Sequence, residues 1–109
     1  MELKEEMYIR TRDGISRIIE VRPAGNLTRV VDDYGNVWFA GEILGTSYEV
    51  IDLIEKGDYI NGVWVNEFKN GKPFHEDYSD PFYSYGWEKE DIKTIVTKEQ
   101  FKRAKYKLD

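Results

Sequence analysis

His75, Glu76, Asp77 and Asp80 are the residues whose types and spacing come closest to chemistry. One imidazole nitrogen and three carboxylates within six residues would suit a divalent cation. The spacing matches no standard calcium loop, which needs acids at alternating positions around a central glycine. A solvated acidic loop is the plainer expectation. His75 is also the only histidine, so a Ser–His pair would have one base available, and no serine lies in a nucleophile motif. Among 21 Asp and Glu residues, a close carboxylate pair is expected by chance and does not signal a glycosidase. The nine glycines are spread among turns, so none forms a phosphate-cradling loop. The expectation is a non-enzymatic protein with no cofactor and no metal.

The same stretch holds the best candidate for a binding surface. Residues 74–91 read FHEDYSDPFYSYGWEKED. Six aromatics (Phe74, Tyr78, Phe82, Tyr83, Tyr85, Trp87) alternate irregularly with six acids (Glu76, Asp77, Asp80, Glu88, Glu90, Asp91). Pro81 and Gly86 interrupt any regular element. Two readings stand side by side. In one, the segment is a long hairpin whose aromatics tuck back onto the core while the acids face water. In the other it is an exposed recognition loop, with Tyr and Trp giving contact area and carboxylates meeting Lys or Arg on a partner. A structureless loop of this length in a small domain points to function or mobility. With Lys89 as its single base the segment carries −5, and the rest of the chain balances to zero. Nucleic acid is therefore not expected on that face.

The elements that must position this segment read as strands. At 109 residues with no cysteine, the chain suits one domain, residues 1–109, with no disulfide framework. No apolar run reaches membrane-spanning length, and the charged N-terminus lacks a signal-peptide core, so a cytoplasmic protein is expected. Residues 7–11, 15–21, 27–31 and 37–40 have strand character and are separated by turn signals, the pattern of an antiparallel meander. Residues 22–26, with Pro23 and Gly25, are expected to break the second strand. Thr46-Ser47 ahead of Glu49 allows a short helical turn over residues 48–55, with an extended path as the alternative. Around residues 51–65, turns at Lys56-Gly57-Asp58 and Asn61-Gly62 flank Tyr59-Ile60 and Val63-Trp64-Val65 as a tight hairpin corner. Residues 69–73 form a turn and residues 91–96 a closing strand. Thr97 and Gln100 then match a capping box that starts a helix over residues 98–104, with Phe101 and Ala104 inward and Lys102, Arg103 and Lys105 in water. Trp38, Trp64, Ile19, Val30, Leu53, Ile60, Val65, Ile95 and Phe101 are the expected core. The fold class is mainly β: a small SH3-like antiparallel barrel or rolled sheet with a short C-terminal helix.

MYIRTRDGI near the start, IDLIEKGDYINGVWV in the middle and IKTIVTKEQF near the end resemble a set of small phage and prophage proteins of low-GC Gram-positive bacteria. About half the chain takes part; residues 70–90 depart from the family pattern. The family has no assigned activity, so the resemblance implies no catalytic residue. It implies a context in which proteins of this size inhibit host defence or modify host machinery. The expected role is then an inhibitor that binds a basic surface on a host protein, such as the channel of a CRISPR nuclease, through the acidic-aromatic segment. Its carboxylates would occupy positions that phosphates normally take. The alternative is a sponge for a nucleotide defence signal, using Arg10, Arg12, Arg17, Arg22 or Arg29 on phosphates and Trp38 or Trp64 as a stacking face. An edge strand at residues 7–11 would also allow a homodimer.

Overall fold

The computed structural model describes residues 2–80, 82 and 84–105, without the side chains of Ala24 and residues 103–105. The chain is mainly β, with antiparallel sheets and one short C-terminal helix. Three separate sheets form among the described residues, and none closes into a barrel. Two compact units divide the chain, Met1–Leu53 and Ile54–Asp109.

The first unit is the expected meander. Strands β1 (Tyr8–Thr11), β2 (Gly14–Ala24), β3 (Leu27–Asp32) and β4 (Val37–Phe39) pair in succession, and β5 (Gly45–Ser47) adds beside β1. Residues 7–11 are therefore not a free edge: β1 has β2 on one side and β5 on the other. Strand β2 also runs through Pro23 instead of breaking there. The reason lies in the register. Strand β1 covers only the start of β2, so at Pro23 the ladder has β3 alone, and a missing N–H on the open side breaks nothing. Met7, Ile9, Ile18, Val30 and Trp38 form the core of this unit. Ile19, expected inside, is exposed because a bulge between Ile18 and Glu20 inserts it as an extra residue. Residues Val50–Leu53 form one 3₁₀ turn, to which Ser47 contributes by accepting the Glu49 amide (3.1 Å) and donating to Asp52 (2.8 Å).

The second unit consists mostly of turns. Strands β6 (Tyr59–Ile60) and β7 (Val63–Trp64) join through Asn61-Gly62, where φ of 52° and 82° gives the type I′ turn that the dipeptide predicts. Strands β8 (Glu67–Lys69) and β9 (Lys72–His75) use Asn70-Gly71 in the same way, so Lys72 and Pro73 belong to a strand and not to the expected turn. Strand β10 (Tyr85–Gly86) pairs with β9, and β11 (Ile95–Val96), much shorter than the expected strand over 91–96, pairs with β6. Helix α1 (Lys98–Lys105) opens with the predicted capping box: Gln100 Oε1 accepts the Thr97 amide (2.9 Å), and Thr97 Oγ1 accepts the Gln100 amide (3.3 Å).

Ile60, Val65 and Ile54 are buried in this unit. Trp64 is exposed instead, because strand alternation gives the interior to its neighbour Val65. Phe101 is half exposed and stacks on Tyr59, with ring centroids 5.4 Å apart. Ile95 is half-buried and Lys102 exposed, while the expected placements of Arg103, Ala104 and Lys105 fall outside the described side chains. No helix among the described residues is long and apolar enough to cross a membrane.

Candidate functional site

The acidic-aromatic segment follows directly from the Asn70-Gly71 hairpin. Strand β9 carries it out through Phe74 and His75, and β10 returns it, pairing Tyr85 with His75 and Gly86 with Phe74. The two strands approach closely at Gly86, where a Cβ would lie 2.8 Å from the Phe74 ring. Only glycine leaves Phe74 where it is.

Side-chain oxygens, not strands, order the loop between them. Asp77 Oδ1 accepts the Ser79 hydroxyl (2.7 Å), the Ser79 amide (3.0 Å) and the Asp80 amide (3.1 Å). Asp80 Oδ1 accepts the Phe82 amide (3.1 Å). Such Asx turns replace a ladder with local bonds. Across the neck, the Asp77 amide donates to Ser84 Oγ (2.8 Å). Asn66 fixes the outgoing strand by bonding both the amide and the carbonyl of Glu76 (2.8 and 2.9 Å). The bonds from Ser79, side chain first, and from Asp80 hold the Asp77 carboxyl below its ordinary pKa.

The aromatics divide into two groups, one packed back and one left in water. Trp87 is only 4% exposed, Tyr85 meets its ring edge-on at 5.1 Å, and Phe74 is half-buried under the Lys69 ammonium, 4.3 Å from the ring centre. At the tip, Tyr78 is 78% and Phe82 97% exposed. Tyr83 lies outside the described residues.

The acids divide similarly. Asp77 and Asp80 are occupied in bonding their own loop. Glu76 pairs with Lys69 (2.6 Å), Glu88 pairs with Lys72, and Asp91 accepts the Glu88 amide (3.1 Å). Glu90 is exposed, and its carboxylate has no bonding partner among the described residues. As a cation site the loop is poorly arranged: His75 Nδ1 lies 2.8 Å from the Trp64 carbonyl, and Asp77 is spent on amides. No group of three or more potential metal ligands forms among the described residues.

Of the residues singled out for a nucleotide, Arg22 and Arg29 stand opposite one another on β2 and β3, and Trp38, on the core face, does not join them. Trp38 lies in the core with Arg12 5.7 Å from its ring centre, and Arg10 is buried and donates to the Leu53 carbonyl (2.9 Å). Arg17 pairs with Glu6 (3.3 Å) and Arg22 with Glu20 (2.6 Å). Trp64 belongs to the other unit.

Two important polar residues went unrecognised in the sequence, Asp32 and Asp58, which read there only as turn residues. Asp32 Oδ2 accepts Ser16 Oγ (2.9 Å) and Trp38 Nε1 (2.8 Å), and Oδ1 accepts the Tyr34 and Asn36 amides (3.0 and 2.9 Å). Asp58 accepts the Glu55 amide (2.7 Å) and the Lys98 amide (2.9 Å). No family model matches the chain, and no curated protein or solved structure matches it.

Proposed function

We propose that the chain is a binding protein that engages a host protein through the tip and outer flank of residues 74–91. The observation that carries this reading is the pair of exposed aromatics, Tyr78 and Phe82, on a loop held in shape by Asp77 and Asp80. A large ring left in water beside residues 77–80, which local bonds hold in place, loses little entropy when a partner covers it, which is how interface anchors behave. Glu88 and Glu90, exposed just after β10, favour a basic partner, with encounter sped by charge and slowed by salt. The phage resemblance adds the context: inhibition of a host defence component, with carboxylates standing where phosphates would lie. The SH3-like character of the fold remains part of this proposal, as a likeness of strand order without closure.

The structure changes which variants test the idea. Reversing Asp77 or Asp80 would unmake the loop itself, so a loss of binding there says nothing about charge. Glu90→Lys and Phe82→Ala leave those bonds intact. In a tagged pull-down from a Gram-positive host lysate, the wild type should enrich one basic protein at low salt and lose it at high salt. Phe82→Ala should abolish the enrichment and Glu90→Lys weaken it. Enrichment unchanged by both substitutions would refute the proposal.

A further inference from the structure

The outer face of the first unit's sheet breaks a packing rule. Arg22 on β2 and Arg29 on β3 stand directly opposite one another. Both fall on the face away from the core, since their neighbours Val21 and Val30 point inward against it. Like charges in that position destabilise a sheet. Glu20 neutralises Arg22 at 2.6 Å. Arg29 has no such relief: its buried Nε bonds nothing, and no carboxylate pairs with it among the described residues. On the other side of Arg29, Phe39 is its register partner on β4 and is 45% exposed. The Phe39 amide is turned outward to Glu42 (3.0 Å), so Arg29 and Phe39 form a non-hydrogen-bonded pair, in which side chains approach most closely. A second observation is independent of the geometry. All five basic residues between positions 5 and 55 are arginines, whereas nine of the ten from position 56 onward are lysines. Arginine offers the planar fork that meets phosphate, and lysine does not.

We infer that Arg22, Arg29 and Phe39 form an anion site for a small phosphorylated ligand bearing a flat ring, of the nucleotide class. The phosphate takes the uncompensated Arg29 guanidinium and competes with Glu20 for Arg22. The ring covers Phe39. A long polyanion is the poorer fit, because residues 1–53 hold ten acids against six bases, a net −4, and would repel an extended phosphate backbone. A like-charge pair compensated on one side only, at Arg22, is what a bound anion would relieve. This inference involves neither the residues nor the unit of the proposed protein-binding loop, so either can fail alone.

The test is an NMR titration of the full ¹⁵N-labelled chain with adenosine 5′-monophosphate, inorganic phosphate and uncharged adenosine as separate probes. The nucleotide should shift the Nε–Hε signals of Arg22 and Arg29 and the ring signals of Phe39. It should bind at least about tenfold tighter than phosphate or adenosine alone, because only it uses both halves of the site. Arg29→Gln should lower its affinity about tenfold or more, and Glu20→Gln should raise it by freeing Arg22. In the absence of ligand, Arg29→Gln should match or exceed the wild type in thermal stability, since it removes a like-charge contact. Arginine signals unmoved at about 10 mM nucleotide would overturn the inference. So would phosphate binding as tightly as the nucleotide, or an Arg29→Gln protein that is less stable yet binds unchanged.

Discussion

Asp32 and Asp58 are both buried, at 1% and 0% exposure, and each serves the unit around it in a different way. In the first unit long backbone ladders form the sheet. Strands of up to eleven residues supply the ladder, and Asp32 finishes the β3–β4 hairpin while giving Ser16 and Trp38 a partner inside. In the second unit the strands have two to four residues. A two-stranded element of that size is marginal by itself. Asp58 ties together parts distant in sequence, the Glu55 turn and the start of α1, and Lys98 also bonds Glu55 at 2.8 Å. Carboxylates aimed at amides thus stand in for backbone ladders in the second unit, and the loop at Asp77 uses the same device.

Removing each aspartate tests this comparison most severely. Asp32→Ala strands four donors, two of them on buried side chains, and should cost about 3–5 kcal/mol in chemical denaturation. Asp58→Ala strands two part-buried amides and should cost about 2–4 kcal/mol. Hydrogen exchange should then show protection lost across Ile54–Asp109 while β2 and β3 stay protected. Equal loss in both units would contradict the division of labour. A smaller effect is expected at Gly62. Its φ of +82° is unfavourable for any side chain, although a Cβ there would meet open space. Gly62→Ala should therefore cost about 1–2 kcal/mol through backbone strain alone, and repacking should not rescue it.

The smallest effect is in acid. Asp77 has its pKa lowered by the fold, so the order it gives the loop is complete above the ordinary carboxylate range. That order should disappear only as pH falls through the lowered value, below the point where an unfolded aspartate titrates. Amide shifts of Ser79, Asp80 and Phe82 followed against pH would show this. A midpoint at or above the ordinary aspartate range would remove the reason given for the loop's shape.

What the sequence made legible follows the same division. Local signals survived intact: the meander, Asn61-Gly62 and the Thr97–Gln100 box are each fixed by neighbours a few residues apart. Pro23 misled because its effect depends on whether β1 lies beside it, which no local window shows. Ile19 and Trp64 misled because a bulge and a two-residue strand decide which face a large side chain takes. The expected barrel assumed that strands adjacent in sequence join one sheet, whereas β9 pairs with β8 and β10 while β11 pairs with β6. Residues 74–91 looked uniform as composition, yet Trp87 and Phe82 ended at opposite extremes of exposure. Asp32 and Asp58 resemble any turn aspartate until their distant donors are known.

Phe82, the most exposed ring among the described residues of the loop, is the one a partner of the proposed kind would cover. The most direct measurement replaces Phe82 with a photo-reactive benzoylphenylalanine and irradiates host cells making the protein. The expected result is one dominant crosslinked partner with a basic surface, lost when Glu88 and Glu90 are both changed to Lys. Crosslinks absent at position 82, or spread over many proteins and indifferent to the charge change, would contradict it.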